Sequence, residues 1–148
     1  MNIKGHQKNP LIDDAYILLG KSRYFDRRFF QALESFNYII ENYSNPKNYL
    51  QARIWREKTN IRLNNSELAI NNLKGISENL IKKSRFSGIL NASLAQAFLN
   101  VKKLDSAKFF IKKAAITENN YDYKARYFYL TGQLYEKLNK KDSAIWAY

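Results

Sequence analysis

The stretch from Asn9 to Pro46 reads NPLIDDAYILLGKSRYFDRRFFQALESFNYIIENYSNP, and its pattern decides the fold. The two prolines of the chain stand at 10 and 46, so no residue between them lacks the backbone donor a helix needs. Apolar and small residues recur at intervals of three and four. Ala15, Leu18, Leu19 and Ser22 are expected to share one packed face, and Phe29, Ala32, Leu33, Phe36, Ile39 and Ile40 another. The break between the two runs is the polar DRR at 26–28, short enough to force an antiparallel pair. Gly20, in the middle of the first run, costs about 1 kcal/mol of helix propensity relative to Ala. Close approach of a second helix is the expected compensation, with a large residue filling the adjoining space.

The same signature recurs along the chain. Further helix pairs are expected at about 49–63 with 66–80, 86–101 with 104–117, and 121–138 with 141–148, joined by NN, KK and NKK. A small residue stands near the start of each second helix, at Ala32, Ala69, Ala107 and Ala144, with spacings of 37, 38 and 37 residues. Phe36, Leu73, Ile111 and Tyr148 follow them, and Gly20, Ala95 and Gly132 take the matching place in the first helices. Glu57 is the departure, because a carboxylate in a buried small-residue place needs a partner, which neither Arg53 nor Lys58 is bound to supply. One helix pair buries only one stripe, so successive pairs must stack to complete a core.

This pattern resembles the tetratricopeptide repeat, most closely in YILLGKSRYF with QALESF and in FYLTGQLYEKLNKKDSAIWAY. The expected fold is all-α: a tetratricopeptide-like right-handed superhelix of about four antiparallel helix pairs. A polar leader at 1–11 precedes units at about 12–46, 47–83, 84–120 and 121–148, the last truncated within its second helix.

Composition narrows the chemistry. There is no Cys, which excludes disulfides, thiolate zinc sites and Cys nucleophiles. His6 is the single histidine and sits in the leader, so neither a His-based triad nor a histidine metal centre is expected. Asp13 and Asp14 follow Pro10 at a helix start, where carboxylates meet exposed N–H groups and the positive end of the dipole. Ser66, Asp105 and Asp142 read as helix-start residues, and Ser106 and Ser143 have no general base in view. No Gly-rich phosphate loop, zincin motif or nucleophile elbow occurs. The reading is a protein that is not an enzyme and takes no cofactor and no metal. No apolar run approaches the roughly 18 residues of a membrane span, and the leader lacks the apolar segment of a secretory signal.

With 25 Lys and Arg against 13 Asp and Glu, the net charge of +12 favours anionic partners. Residues 81–113 carry eight of the positive groups and one negative one, in clusters at Lys82, Lys83 and Arg85 and at Lys102, Lys103, Lys108, Lys112 and Lys113. A solvated surface or an acidic protein face accounts for them; no nucleic-acid reader motif accompanies them.

The tetratricopeptide resemblance also implies where a partner would bind, since the first helices of such units line a groove. Carried over, the groove positions are Asp14, Ile17, Lys21 and Tyr24, then Lys58, Ile61 and Arg62, then Gln96 and Asn100, and finally Arg126, Tyr129, Gln133 and Lys137. Basic, amide and aromatic groups in that mixture hold acidic side chains or backbone groups. Ile17 occupies the place where the first Lys of a carboxylate clamp would stand, so that clamp is incomplete. Trp55, Trp146, Tyr127, Tyr129 and Tyr135 could anchor a partner but at helical spacing are read mostly as packing residues, and the open end around Trp146 and Tyr148 as a place for self-association.

A narrower resemblance rests on Pro10 to Tyr16, Gly20 to Tyr24, Trp55 to Arg62 and Tyr127 to Lys141. These segments look like the repeat region of the SprE/PorW lipoproteins of Bacteroidetes gliding motility and type IX secretion. That resemblance implies a non-catalytic, protein-binding scaffold on the periplasmic face of the outer membrane, with components of the secretion machine as partners. The chain departs from the pattern in having no signal peptide and no lipidated Cys. The alternatives are a cytoplasmic adaptor or co-chaperone-like binder of acidic peptide segments, and a basic binder of nucleic acid or anionic surfaces.

Overall fold

The computed structural model describes residues 10–42 and 45–137. They form eight helices: α1 (Pro10–Phe25), α2 (Phe29–Glu41), α3 (Pro46–Arg62), α4 (Ser66–Lys74), α5 (Glu78–Lys82), α6 (Ser87–Asn100), α7 (Leu104–Thr117) and α8 (Tyr121–Lys137). No strand occurs among the described residues. The fold is all-α and tetratricopeptide-like. The chain divides into two compact units, at 1–65 and 66–148.

In the first unit α1 and α2 form a hairpin, and α3 packs on both. Gly20 is where the hairpin closes: a Cβ built there would stand 2.7 Å from Cζ of Phe36, and Phe36 is fully buried. The glycine is thus compensated by an aromatic ring seated directly on the α1 backbone. Around that contact Tyr16 stacks on Tyr38 with ring centres 4.0 Å apart, and the Arg23 guanidinium donates to Gln31 O at 3.1 Å and to Ser35 Oγ at 2.8 Å. Asn45 caps α3 by accepting from the Asn48 N–H at 2.8 Å, with Pro46 at the first helical position, where its missing donor costs nothing. The Asn48 side chain then donates to Asp14 Oδ1 at 3.2 Å, tying α3 to the start of α1.

The buried face of α1 differs from the expected one. Ala15, Leu18, Leu19 and Ser22 are exposed, and the helix instead buries Asp13, Ile17 and Gly20. The reason is the Gly20–Phe36 contact: it fixes the rotation of α1, and every residue about 100° away from Gly20 follows. α2 keeps its expected face, with Ala32, Phe36 and Ile39 buried.

Glu57 is 1% exposed and does find a partner. The neighbouring Arg56 donates Nε to Oε2 at 2.7 Å, and Asn60 donates Nδ2 to Oε1 at 2.8 Å, so both carboxylate oxygens are satisfied. Arg53 lies over the Tyr49 ring and Lys58 over the Trp55 ring.

In the second unit α4 packs on α6, α6 and α7 form a hairpin, and α8 packs on α7. Phe98 and Phe110 stack face to face across the hairpin at 5.4 Å, and Ala69, Leu73, Ala107 and Ile111 are buried as the repeat pattern requires. The expected helix at 66–80 is broken: α4 ends at Lys74, the turn at Gly75 to Ser77 intervenes, and α5 restarts at Glu78. Gly75 has the lowest helix propensity of any residue but proline, and the Ile76 N–H turns back to Leu73 O at 3.2 Å. Ala144, Trp146 and Tyr148, and the expected helix at 141–148, lie outside the described residues.

Three turns share one geometry. Arg27, Asn64 and Lys102 all have positive φ, near 63–65°, and in each turn the next residue's N–H reaches five residues back: Arg28 to Arg23, Asn65 to Asn60, Lys103 to Phe98. This is a left-handed helix end made without glycine.

Asp13 lies almost fully buried in α1, and both burial and the neighbouring Asp14 charge raise its carboxyl above the usual range. A raised carboxyl favours the folded state when protonated, so its contribution is present below the ordinary value of 3.8 and is lost as pH rises through the folded value. Asp13→Asn is therefore expected to raise stability at pH 7 relative to the parent, and the advantage should disappear in acid. Denaturant midpoints of the two chains across a pH series check this.

Candidate functional site

The first unit gathers cations onto one aromatic wall. Tyr24 and Trp55 meet edge to face at 5.4 Å; Phe29 lies 5.7 Å from Tyr24, and Phe25 lies 5.3 Å from Tyr24 and 5.9 Å from Trp55. The wall is built by sequence position: Tyr24 and Phe25 close α1, Phe29 opens α2 after the three-residue turn, and Trp55 comes from the middle of α3. Over it stand Lys21, 5.1 Å from the Trp55 ring, Lys58, 5.0 Å from Trp55 and 5.8 Å from Tyr24, and Arg62, 5.0 Å from Phe29 and 5.9 Å from Tyr24. Lys58 and Arg62 are one helical turn apart on α3 and so share a face.

Cations held over ring faces keep their positive charge directed at that face while their stems pack on carbon. Lys21 is half-buried, and the loss of solvent pushes its ammonium below the ordinary lysine range. A docked carboxylate would reverse that cost, because an opposite charge favours the ionised amine. Trp55 itself is 9% exposed, so it acts as the floor of the cluster.

The carried-over positions separate on this structure. Lys21, Tyr24, Lys58 and Arg62 come together in the wall just described. Asp14 is exposed and bonded to Asn48, whereas Ile17 and Ile61 are each only 5% exposed and belong to the core. Phe25 and Phe29 are members that the groove register omits; their signal was the run YF–DRR–FF, which brackets a turn with aromatics.

The second unit holds the other positions. An apolar cleft of about 140 Å³ lies between α6, α7 and α8, lined by Ala92, Ala95, Leu99, Ile111, Leu130 and Leu134 among others, with Gln96 and Gln133 contributing the polar edge. Gln96 donates to Asn100 Oδ1 at 2.9 Å, Asn100 donates to Ser66 Oγ at 3.2 Å, and Gln133 donates to the Tyr129 hydroxyl at 3.2 Å. Arg126 and Tyr129 are exposed on α8, and Lys137 closes the helix. Tyr127 is buried beside Glu118, and its phenol is pushed up to about 12, which keeps it neutral at ordinary pH. Among the described residues no group of three or more His, Cys, Asp or Glu could hold a metal ion, and no helix is long and apolar enough to cross a membrane.

No family model matches the chain, and no curated protein does. Solved structures do. A structure titled MamA 41-end from Desulfovibrio magneticus RS-1 superposes with a TM-score of 0.67 at 12% identity, over 91% of this chain and 71% of that one. A double mutant titled MamA RS-1 ArsTM gives 0.66 at 12% identity, over 91% and 70%, and a further crystal structure of MamA gives 0.61 at 20% identity, over 86% and 69%.

This chain is similar in fold to MamA. Identities of this size carry the fold alone. They also overturn the narrower resemblance: the likeness found is to MamA, and the expectation of a Bacteroidetes SprE/PorW lipoprotein in gliding motility and type IX secretion is withdrawn. The placement on the periplasmic face of the outer membrane rested on that resemblance and is withdrawn with it. The segments that suggested it within the described residues, Pro10 to Tyr16, Gly20 to Tyr24 and Trp55 to Arg62, are helical sequence of this fold, so they carry the fold and no narrower family.

Proposed function

We infer that this protein is a non-catalytic helical-repeat adaptor, and that the face of its first unit captures an acidic segment of a partner protein. The observation that carries the reading is the convergence of Lys21, Lys58 and Arg62 on the Tyr24–Trp55–Phe29 wall. Three cations pre-positioned on aromatic carbon lose little side-chain freedom on meeting carboxylates, and the rings exclude water from one side of each contact. Carboxylates spaced along an extended segment, with an apolar side chain laid against Phe25, fit this surface; the net charge of +12 draws such a segment in. Gln96, Asn100, Arg126, Tyr129 and Gln133 would offer further polar contacts in the second unit.

The test is binding of fluorescent peptides that carry Asp and Glu around one aromatic residue, measured by anisotropy at low and high salt. Lys58→Glu/Arg62→Glu should weaken binding by at least tenfold, the size expected on losing hydrogen bonds to charged groups of about 1.5–3 kcal/mol each. Unchanged affinity in that variant would remove the wall from the reading. Tighter binding of a nucleic-acid oligomer than of any peptide, weakened by Lys102→Glu/Lys103→Glu/Lys112→Glu/Lys113→Glu and steeply salt-dependent, would replace it with the basic-surface alternative.

A further inference from the structure

The face of α1 that the hairpin leaves outside is apolar along its whole length. Leu11, Leu18 and Phe25 are 73%, 67% and 70% exposed, Ala15 and Ser22 lie exposed between them, and Leu19, at 41%, widens the stripe. The intervals are four, three, four and three residues: the spacing of a coiled-coil seam, with large residues at one position of the heptad and small ones at the other. Scattered exposed leucines need no explanation, whereas a continuous stripe of this kind marks a surface that another molecule covers.

We propose that α1 is an isologous interface by which two copies of this chain pair antiparallel, with Leu18 on the two-fold axis, a pairing that competes with the acidic-segment capture above because both use Lys21 and Phe25. The charges flanking the stripe select this occupant. In the heptad frame Asp14 and Lys21 are equivalent flanking positions on the same edge of the seam, the edge on which α3 lies, since Asp14 meets Asn48 and Lys21 lies over Trp55. Antiparallel pairing about Leu18 sets the flanking edge of one copy against the same edge of the other, so Asp14 of each copy faces Lys21 of the second copy, twice over. Parallel pairing puts the two edges on opposite sides of the seam, so Asp14 faces Leu19 of the second copy and finds no opposite charge, and only Lys21 meets an acidic residue, Asp26. The side chains agree: antiparallel pairing sets Leu11 against Phe25 at each end and puts the small Ala15 and Ser22 near each other on both sides of Leu18. A surface that is its own complement under a two-fold is what a closed dimer requires. A single helix pair is a small interface, so the dimer should be a concentration-dependent one in the micromolar range.

The absence of Cys gives a clean cross-linking experiment. Under mild oxidation Leu18→Cys should form a covalent dimer. Leu11→Cys and Phe25→Cys should each stay largely monomeric alone and cross-link when mixed, because disulfides form only between residues whose Cα atoms lie within about 7 Å. Sedimentation of the unmodified chain across the micromolar range should show a monomer–dimer equilibrium that Leu18→Glu abolishes with its helical circular dichroism unchanged, since Leu18 is on the surface. Asp14→Lys should weaken the dimer and Asp14→Lys/Lys21→Asp should restore it. A chain that stays monomeric throughout, or a dimer that persists in Leu18→Glu, overturns the proposal. Equal self-cross-linking of Leu11→Cys and Leu18→Cys overturns the antiparallel arrangement.

Discussion

Replacing Gly20 with Ala is expected to destabilise the protein by about 1–3 kcal/mol, the range for overpacking a well-filled core. Helix propensity alone argues the other way, favouring Ala by about 1 kcal/mol. The contact decides. A methyl at position 20 would lie 2.7 Å from Cζ and 2.9 Å from Cδ1 of Phe36, where carbon atoms normally rest about 3.5–4.0 Å apart. Phe36 is 0% exposed, so its ring has no solvent to swing into. Phe36→Ala should cost about 3–5 kcal/mol through the cavity it leaves. In Gly20→Ala/Phe36→Leu the shorter side chain makes room for the methyl, so the two losses should add to less than their sum. Denaturant unfolding of the three variants measures this, and a Gly20→Ala chain as stable as the parent would remove the close approach on which the hairpin is argued. Gly88 offers the contrast: an added Cβ there meets the carboxylate end of Glu118, a side chain that can rotate, so Gly88→Ala should cost less than Gly20→Ala.

The second large effect is expected at Arg56. Replacing it as Arg56→Met takes away the cation bonded to Oε2 of Glu57, which is 1% exposed, while the Asn60 amide stays on Oε1. A fully enclosed pair loses about 3–5 kcal/mol when one partner is deleted. The Arg56 side chain is 23% exposed and solvent screens part of its charge, so a loss of about 2 kcal/mol is expected here. Glu57→Gln/Arg56→Met should recover much of that loss, because the buried carboxylate charge is then removed together with the arginine. Thermal unfolding of the single and double variants tests the point: equal destabilisation in both would mean that the arginine stem, and not its charge, matters at this place.

Much of the fold was legible because helical hairpins announce themselves locally. The spacing of Ala32, Ala69 and Ala107, the large residues four positions on, and the short polar breaks DRR, NN and KK are set by helix geometry and turn length alone, and Phe36, Leu73 and Ile111 are buried where that pattern puts them. Less of the site could be read. Groove positions carried from a repeat register assume that every helix shows the same face to the same side; Ile17 and Ile61 went into the core, and Phe25 and Phe29 entered the cluster although the register does not include them.

Residue type and spacing alone set the all-α class, the hairpins α1–α2 and α6–α7 and the excess of positive charge. Tertiary structure decided which face of α1 turned inward, because that helix is apolar on two sides and only the fit of Phe36 onto Gly20 chooses between them. It also decided that Glu57 would be neutralised by its immediate neighbour and that Lys21, Lys58 and Arg62 would meet over the same rings. Those outcomes depend on the rotation of each helix about its axis, a quantity fixed by packing between segments far apart in the chain.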